Sequence, residues 1–120
     1  MALDDIFNNK EKSQHYEEGT VIFREGSEGE KMYIIIEGSV EINIGKKVVE
    51  TLHSGNMFGE MAMIDNRRRS ATATAKTNCR LVEMNQKEFN KMIEKEPLFA
   101  QYVLQILVTR LRNVNLLIRE

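Results

Sequence analysis

Glu60 and Arg69 are the two side chains of this sequence whose types and spacing suggest chemistry. They lie in Phe58-Gly59-Glu60-Met61-Ala62 and, nine residues after Glu60, in Arg69-Ser70-Ala71. Gly59 can take backbone angles closed to other residues and lets a ligand approach the main chain. The residues after it can start a short helix, whose free N–H groups favour a phosphate. Arg69 supplies a planar, permanently charged fork for phosphate oxygens. Ionised Glu60 accepts hydrogen bonds and suits a ribose hydroxyl. A carboxylate and a guanidinium at opposite ends of one small ligand fit a cyclic nucleotide. Read without that ligand, Arg69 is a solvated loop arginine and Glu60 stabilises the first turn of its helix.

These segments resemble the phosphate-binding cassette of cyclic nucleotide-binding domains. That family includes bacterial catabolite activator proteins, regulatory subunits of cyclic-AMP-dependent protein kinase and cyclic-nucleotide-gated channels. Upstream, Gly19-Thr20-Val21-Ile22-Phe23-Arg24-Glu25-Gly26 and Met32-Tyr33-Ile34-Ile35-Ile36-Glu37-Gly38-Ser39-Val40 extend the resemblance. It implies that Arg69 pairs with the cyclic phosphate and that Glu60 binds the ribose. Phe58, Gly59, Met61 and Ala62 would line the cassette, with Gly59 and Ala62 giving backbone contacts. Ser70 and Ala71 complete the phosphate side, Ser70 by a hydroxyl or its amide. Catabolite activator proteins place hydroxyl-bearing residues on a long helix to bind adenine; here Val114 and Asn115 fall there. Asn115 can still donate to and accept from a purine edge. The implied ligand is cyclic AMP, with cyclic GMP the alternative, and neither a cofactor nor catalysis is implied.

The elements that must position this cassette are legible in outline. From Gly19 short β-rich runs alternate with turns: Thr20–Arg24, Met32–Ile36, Ser39–Ile44, Val48–Leu52, Ser70–Lys76 and Arg80–Met84. Glu25–Gly29, Gly45-Lys46-Lys47 and His53–Asn56 read as turns. Near the start, Leu3, Ile6 and Phe7 suggest a short N-terminal helix. Asn85 followed by Glu88 is a capping box opening a helix to about Lys95, with Phe89, Met92 and Ile93 on one face. Pro97, the single proline, suits the first turn of a second helix of ~24 residues, about 36 Å long. The expected fold is mainly β with helices: an antiparallel, jelly-roll-like β-roll with the N-terminal helix, a cassette helix and two C-terminal helices. Residues 1–120 read as one domain.

On the long helix, Leu104, Leu107, Leu111, Val114 and Ile118 recur at heptad spacing. They suggest a homodimer seam, which the resemblance to catabolite activator proteins also implies. Phe99, Tyr102, Val103 and Ile106 are expected to pack on the roll. Met57, Met61 and Met63 read as core filler.

With 17 basic and 18 acidic side chains, the chain lacks the basic excess of a nucleic-acid binder. One cysteine, Cys79, cannot build an internal disulfide or a metal centre, and reads as a buried strand residue. His15 and His53 lack partners at metal spacing, so no metal site is expected. No signal peptide and no membrane-length apolar run are seen, so a cytoplasmic location is expected. Arg67 and Arg68 read as solvated. Arg67-Arg68-Arg69-Ser70 also resembles a basic-directed kinase site, a match expected to be accidental if Ser70 lies in the ligand pocket. Two other readings remain: a degenerate fold acting as a dimerisation or protein-interaction module, and the sensory half of a catabolite-activator-type regulator. Nothing after the long helix can supply a helix-turn-helix, so direct DNA binding is not expected.

Overall fold

Strand β3 (Lys31–Glu37) sets the architecture, because both of its faces are apolar. Met32 and Ile34 point one way and Tyr33 and Ile35 the other, and all four are buried. A strand buried on both sides must lie between two layers. The computed structural model describes residues 12–65 and 67–119, with the side chains of the last helix as far as residue 112. It arranges eight strands as two four-stranded sheets with wholly antiparallel pairing.

The first sheet has the order β1-β8-β3-β6, with β1 at Ser13–Tyr16, β6 at Met57–Phe58 and β8 at Cys79–Asn85. The second has the order β2-β7-β4-β5, comprising Val21–Phe23, Thr72–Ala75, Ser39–Ile44 and Lys47–His53. Between the sheets lie Tyr33, Ile35, Val40, Leu52, Phe58, Ala73, Ala75, Cys79 and Leu81. The opposite face of the first sheet offers Met32, Ile34, Met57, Val82 and Met84 to the helices. The period-two alternation of β3 and β8 therefore divides one sheet between two cores.

Three helices are described: α1 (Met61–Asp65), α2 (Gln86–Lys95) and α3 (Pro97–Arg119). Asn85 caps α2 by accepting from the Glu88 amide at 2.9 Å, while the Glu88 carboxylate accepts from the Asn85 amide at 3.1 Å. This is the reciprocal box that the sequence announces. Phe89 and Phe99 meet edge to face at 5.8 Å and join α2 to α3. Phe99 and Val103 are buried, and Tyr102, Ile106 and Leu107 pack on the same core. The Tyr102 hydroxyl donates to the Gly55 carbonyl at 2.9 Å, fixing α3 to the turn before β6.

The mainly β fold with its antiparallel roll, cassette helix and two C-terminal helices is the one expected. The proposed N-terminal helix, with Leu3, Ile6 and Phe7, lies outside the described residues. Two strands were not foreseen. β1 is polar and is drawn into the sheet by β8, with Ser13 opposite Val82 and Tyr16 opposite Cys79. β6 has two residues, too few to show a period, and pairs Phe58 with Tyr33. Cys79 is buried as expected, whereas Ile93 is partly exposed, at 38%. No helix among the described residues is long and apolar enough to cross a membrane. The same residues contain no group of side chains able to hold a metal ion.

Candidate functional site

β6 delivers Phe58 into the roll and then releases the chain at Gly59, whose φ is +79°. That angle turns the chain from strand to α1 and places Glu60 inward, where it is 0% exposed. The Glu60 carbonyl accepts from the Met63 amide at 3.0 Å and closes the turn. At five residues, α1 is little more than one turn. It therefore offers individual amides rather than a developed dipole.

Arg69 reaches the same place from the other side. Its amide donates to Ser27 and its carbonyl accepts from Gly26, both at 2.8 Å, so the β2–β3 turn pins the cassette loop. The side chain is 7% exposed. Its guanidinium donates to the Gly59 carbonyl at 3.1 Å and to the Lys31 carbonyl. The guanidinium carbon lies 4.0 Å from the centre of the Phe23 ring, a cation–π arrangement. Phe23, Tyr33 and Phe58 form an aromatic floor, with Tyr33 and Phe58 stacked at 5.1 Å. Gly29 closes the cradle: a Cβ there would lie 2.4 Å from the Ala62 Cβ and 3.1 Å from the Arg69 guanidinium carbon.

Glu60 meets a cation from α3. Arg110 donates to Glu60 Oε1 and lies 3.6 Å from a carboxylate oxygen of Glu50 on β5. Burial pushes the Glu60 carboxyl above the usual carboxylate range, with Arg110 opposing. Burial also lowers Arg69 from its ordinary value, opposed by Tyr33 and Glu60. An arginine remains charged under such a shift.

Two buried side-chain atoms lack a hydrogen-bond partner among the described residues: Glu60 Oε2 and Arg69 Nε. Arg69 lines a cleft of about 680 Å³, a size typical of small-molecule sites; Glu60 does not line it but is buried between Gly59 and Met61, which do. Phe58, Gly59, Met61, Ala62, Arg69, Ser70 and Ala71 all line that cleft, so the expected cassette residues come together. Asn115 lies on α3, but its side chain is outside the described residues.

Met61 corrects an expectation. Met57 and Met63 are core residues, but Met61 is 45% exposed and lines the cleft. The single turn of α1 can bury only the side on which Ala62 and Met63 lie, and Met61 falls on the other. Phe23, Gly29, Glu50 and Arg110 were not singled out by sequence. Their roles depend on partners distant in the chain, and no local signal separates Arg110 from Arg112.

Replacing Gly59 by alanine should show how tightly the cradle is built. The new Cβ would meet Arg69 Nη1 at 2.8 Å while holding a positive φ. A loss of about 1–2 kcal/mol from the backbone alone is expected in urea unfolding, and the displaced guanidinium should weaken ligand binding further. An unchanged midpoint would refute the strain.

The roll thus carries a cleft lined by a buried arginine, with a buried carboxylate beside it. Residues 13–96 match the family described as the cyclic nucleotide-binding domain, and the chain belongs to that family. It is 38% identical over 82 residues to mouse Rap guanine nucleotide exchange factor 3, covering 67% of this chain and 9% of that protein. The catabolite activator protein of Thermus thermophilus superposes with a TM-score of 0.80 at 28% identity, over 97% of this chain and 58% of that one. A structure of PKAR CBD2 bound to Sp-2Cl-cAMPS gives 0.71 at 31% identity, over 87% of this chain and 66% of that one. The chain thus spans about a tenth of the length of the exchange factor it resembles.

Proposed function

We propose that this domain binds a cyclic nucleoside monophosphate, cyclic AMP in the first instance, as a non-catalytic regulatory module. The observation that carries the proposal is the pair of unsatisfied buried atoms, Arg69 Nε on a residue that lines the cleft and Glu60 Oε2 on the residue between its lining neighbours Gly59 and Met61. An unmade buried hydrogen bond is costly, and a ribose hydroxyl and a phosphate oxygen would relieve both. Arg69 has five N–H donors and commits hydrogen bonds to two backbone carbonyls, which leaves donors for an anion. Gly59, Ala62 and the Ser70–Ala71 backbone complete the phosphate end. Phe58 supports it from below, and Met61 shields the mouth. Asn115 is proposed to meet the base from α3.

Occupancy reaches α3 because that helix already touches the site through Arg110. A ligand that engages Glu60 and the cassette favours the arrangement of α3 compatible with both. Only its differential affinity for the two arrangements shifts their balance. Leu104 and Leu111 support pairing of two copies through α3, being 60% and 62% exposed at heptad spacing; Leu107 is turned partly into the core.

Calorimetric titration with cyclic AMP, cyclic GMP and 2′-deoxy cyclic AMP tests the reading. Cyclic AMP is expected to bind, and the 2′-deoxy form to bind roughly 10- to 100-fold more weakly, the worth of a hydrogen bond to a charged group. If neither cyclic nucleotide binds, the degenerate-fold reading replaces this one. Equal affinity for the deoxy ligand removes Glu60 from the ribose.

A further inference from the structure

Arg67-Arg68-Arg69-Ser70 places two arginines three and two positions before a serine, the pattern read by basic-directed protein kinases. The sequence treats pocket and surface as alternatives for Ser70, but it lines the cleft and is exposed. Among the described residues its hydroxyl has no hydrogen-bond partner. The Arg67 side chain is 86% exposed. Arg68 is also exposed and, among the described residues, is held by donation to the Gly26 carbonyl at 3.1 Å. The buried arginine is Arg69, directly before the acceptor, where this pattern makes no demand. Residues 67–71 belong to neither helix nor strand, so a kinase need not dismantle the sheets to reach them.

We propose that Ser70 is a phosphorylation site and that phosphorylation and cyclic nucleotide compete for the cleft. Ser70 Oγ attacks the γ-phosphorus of ATP. The Oγ–P bond forms as the bond to the β–γ bridging oxygen breaks, ADP departs, and the hydroxyl proton passes to the kinase's base. The product carries about −1.5 to −2 charges on the residue next to Arg69. It sits where a ligand phosphate would, among Arg67, Arg68 and Arg69, and repels a second anion. Conversely, a bound nucleotide covers the Ser70 hydroxyl. The competition rests on the nucleotide-binding reading above; the modification itself does not.

The test incubates the folded chain with ATP and a basic-directed kinase, with and without saturating cyclic AMP, and maps the phosphate by mass spectrometry. Phosphate on Ser70, formed at least tenfold more slowly with cyclic AMP present, is the expected result. Arg67→Ala/Arg68→Ala should slow it at least tenfold while keeping Ser70. The phosphorylated chain and Ser70→Asp should bind cyclic AMP at least tenfold more weakly than the parent. Phosphate on Ser70 only after unfolding, or on another residue only, overturns the site. Unaltered cyclic AMP affinity after phosphorylation overturns the competition. If the parent binds no cyclic nucleotide by calorimetry, the competition fails together with the nucleotide reading, and the mass spectrum alone decides the modification.

Discussion

Arg69→Ala should weaken cyclic AMP binding by about 2–4 kcal/mol, roughly 30- to 1000-fold, the cost of losing a charge-assisted phosphate pair. The size follows from where the charge sits. Arg69 is almost wholly buried above the Phe23 ring, so water cannot screen it as it would a surface arginine. The same variant also strips the Gly59 and Lys31 carbonyls of a donor. A stability loss of about 1–3 kcal/mol should therefore accompany the binding loss, and urea unfolding must be run beside calorimetry. Arg69→Lys separates the effects. It keeps a charge but not the fork, so its affinity should fall between parent and alanine variant. A folded Arg69→Ala chain that binds cyclic AMP as the parent does would remove the phosphate from this site.

Arg69 stands out in the sequence through its spacing to Glu60 and through the family resemblance, and that information is local. Gly59, Glu60 and Arg69 sit in one short segment, at a spacing tied to one loop. The α2 capping box is equally local, since Asn85 and Glu88 complete each other within one turn. β3 and β8 announce themselves because alternating burial writes a period into the sequence. β1 does not: it is an edge strand of four residues with only Ser13 buried, and β8 alone calls it into the sheet. Gly29 reads as an ordinary turn glycine. Its necessity comes from the Ala62 Cβ, thirty-three positions later, which is invisible until the chain folds. Arg110 is the larger omission. In sequence it is one arginine among Arg110, Arg112 and Arg119 on a helix read for its leucines. Only the docking of α3 by Phe99, Tyr102 and Val103 shows which arginine faces Glu60.

Arg110→Met should be the most destabilising of these changes at neutral pH, because it leaves Glu60 buried with no cation on Oε1. Breaking one side of a buried pair costs about 3–5 kcal/mol. A carboxyl can escape by taking a proton, however. From an ordinary value of about 4.3, that escape costs about 3–4 kcal/mol at pH 7, so a loss of about 2–4 kcal/mol is expected. The pH dependence identifies the cause. The folded-state pKa of Glu60 is raised above its unfolded value by burial, and Arg110 is the principal group holding it down. Without Arg110 it rises further. Stability tied to a raised pKa is fully present below the unfolded value and is lost as pH climbs through the folded one. Parent and variant should therefore nearly match in urea unfolding near pH 4, then diverge as pH rises toward 7. Glu60→Gln in the Arg110→Met background removes the buried charge and should recover much of the loss at pH 7. A deficit that is constant with pH and not rescued by glutamine would assign Arg110 to packing of α3 alone. A deficit that grows with pH and is rescued makes Arg110 the electrostatic bond between the long helix and the buried carboxylate of the cassette. Through that bond, occupancy at Glu60 would be felt along α3.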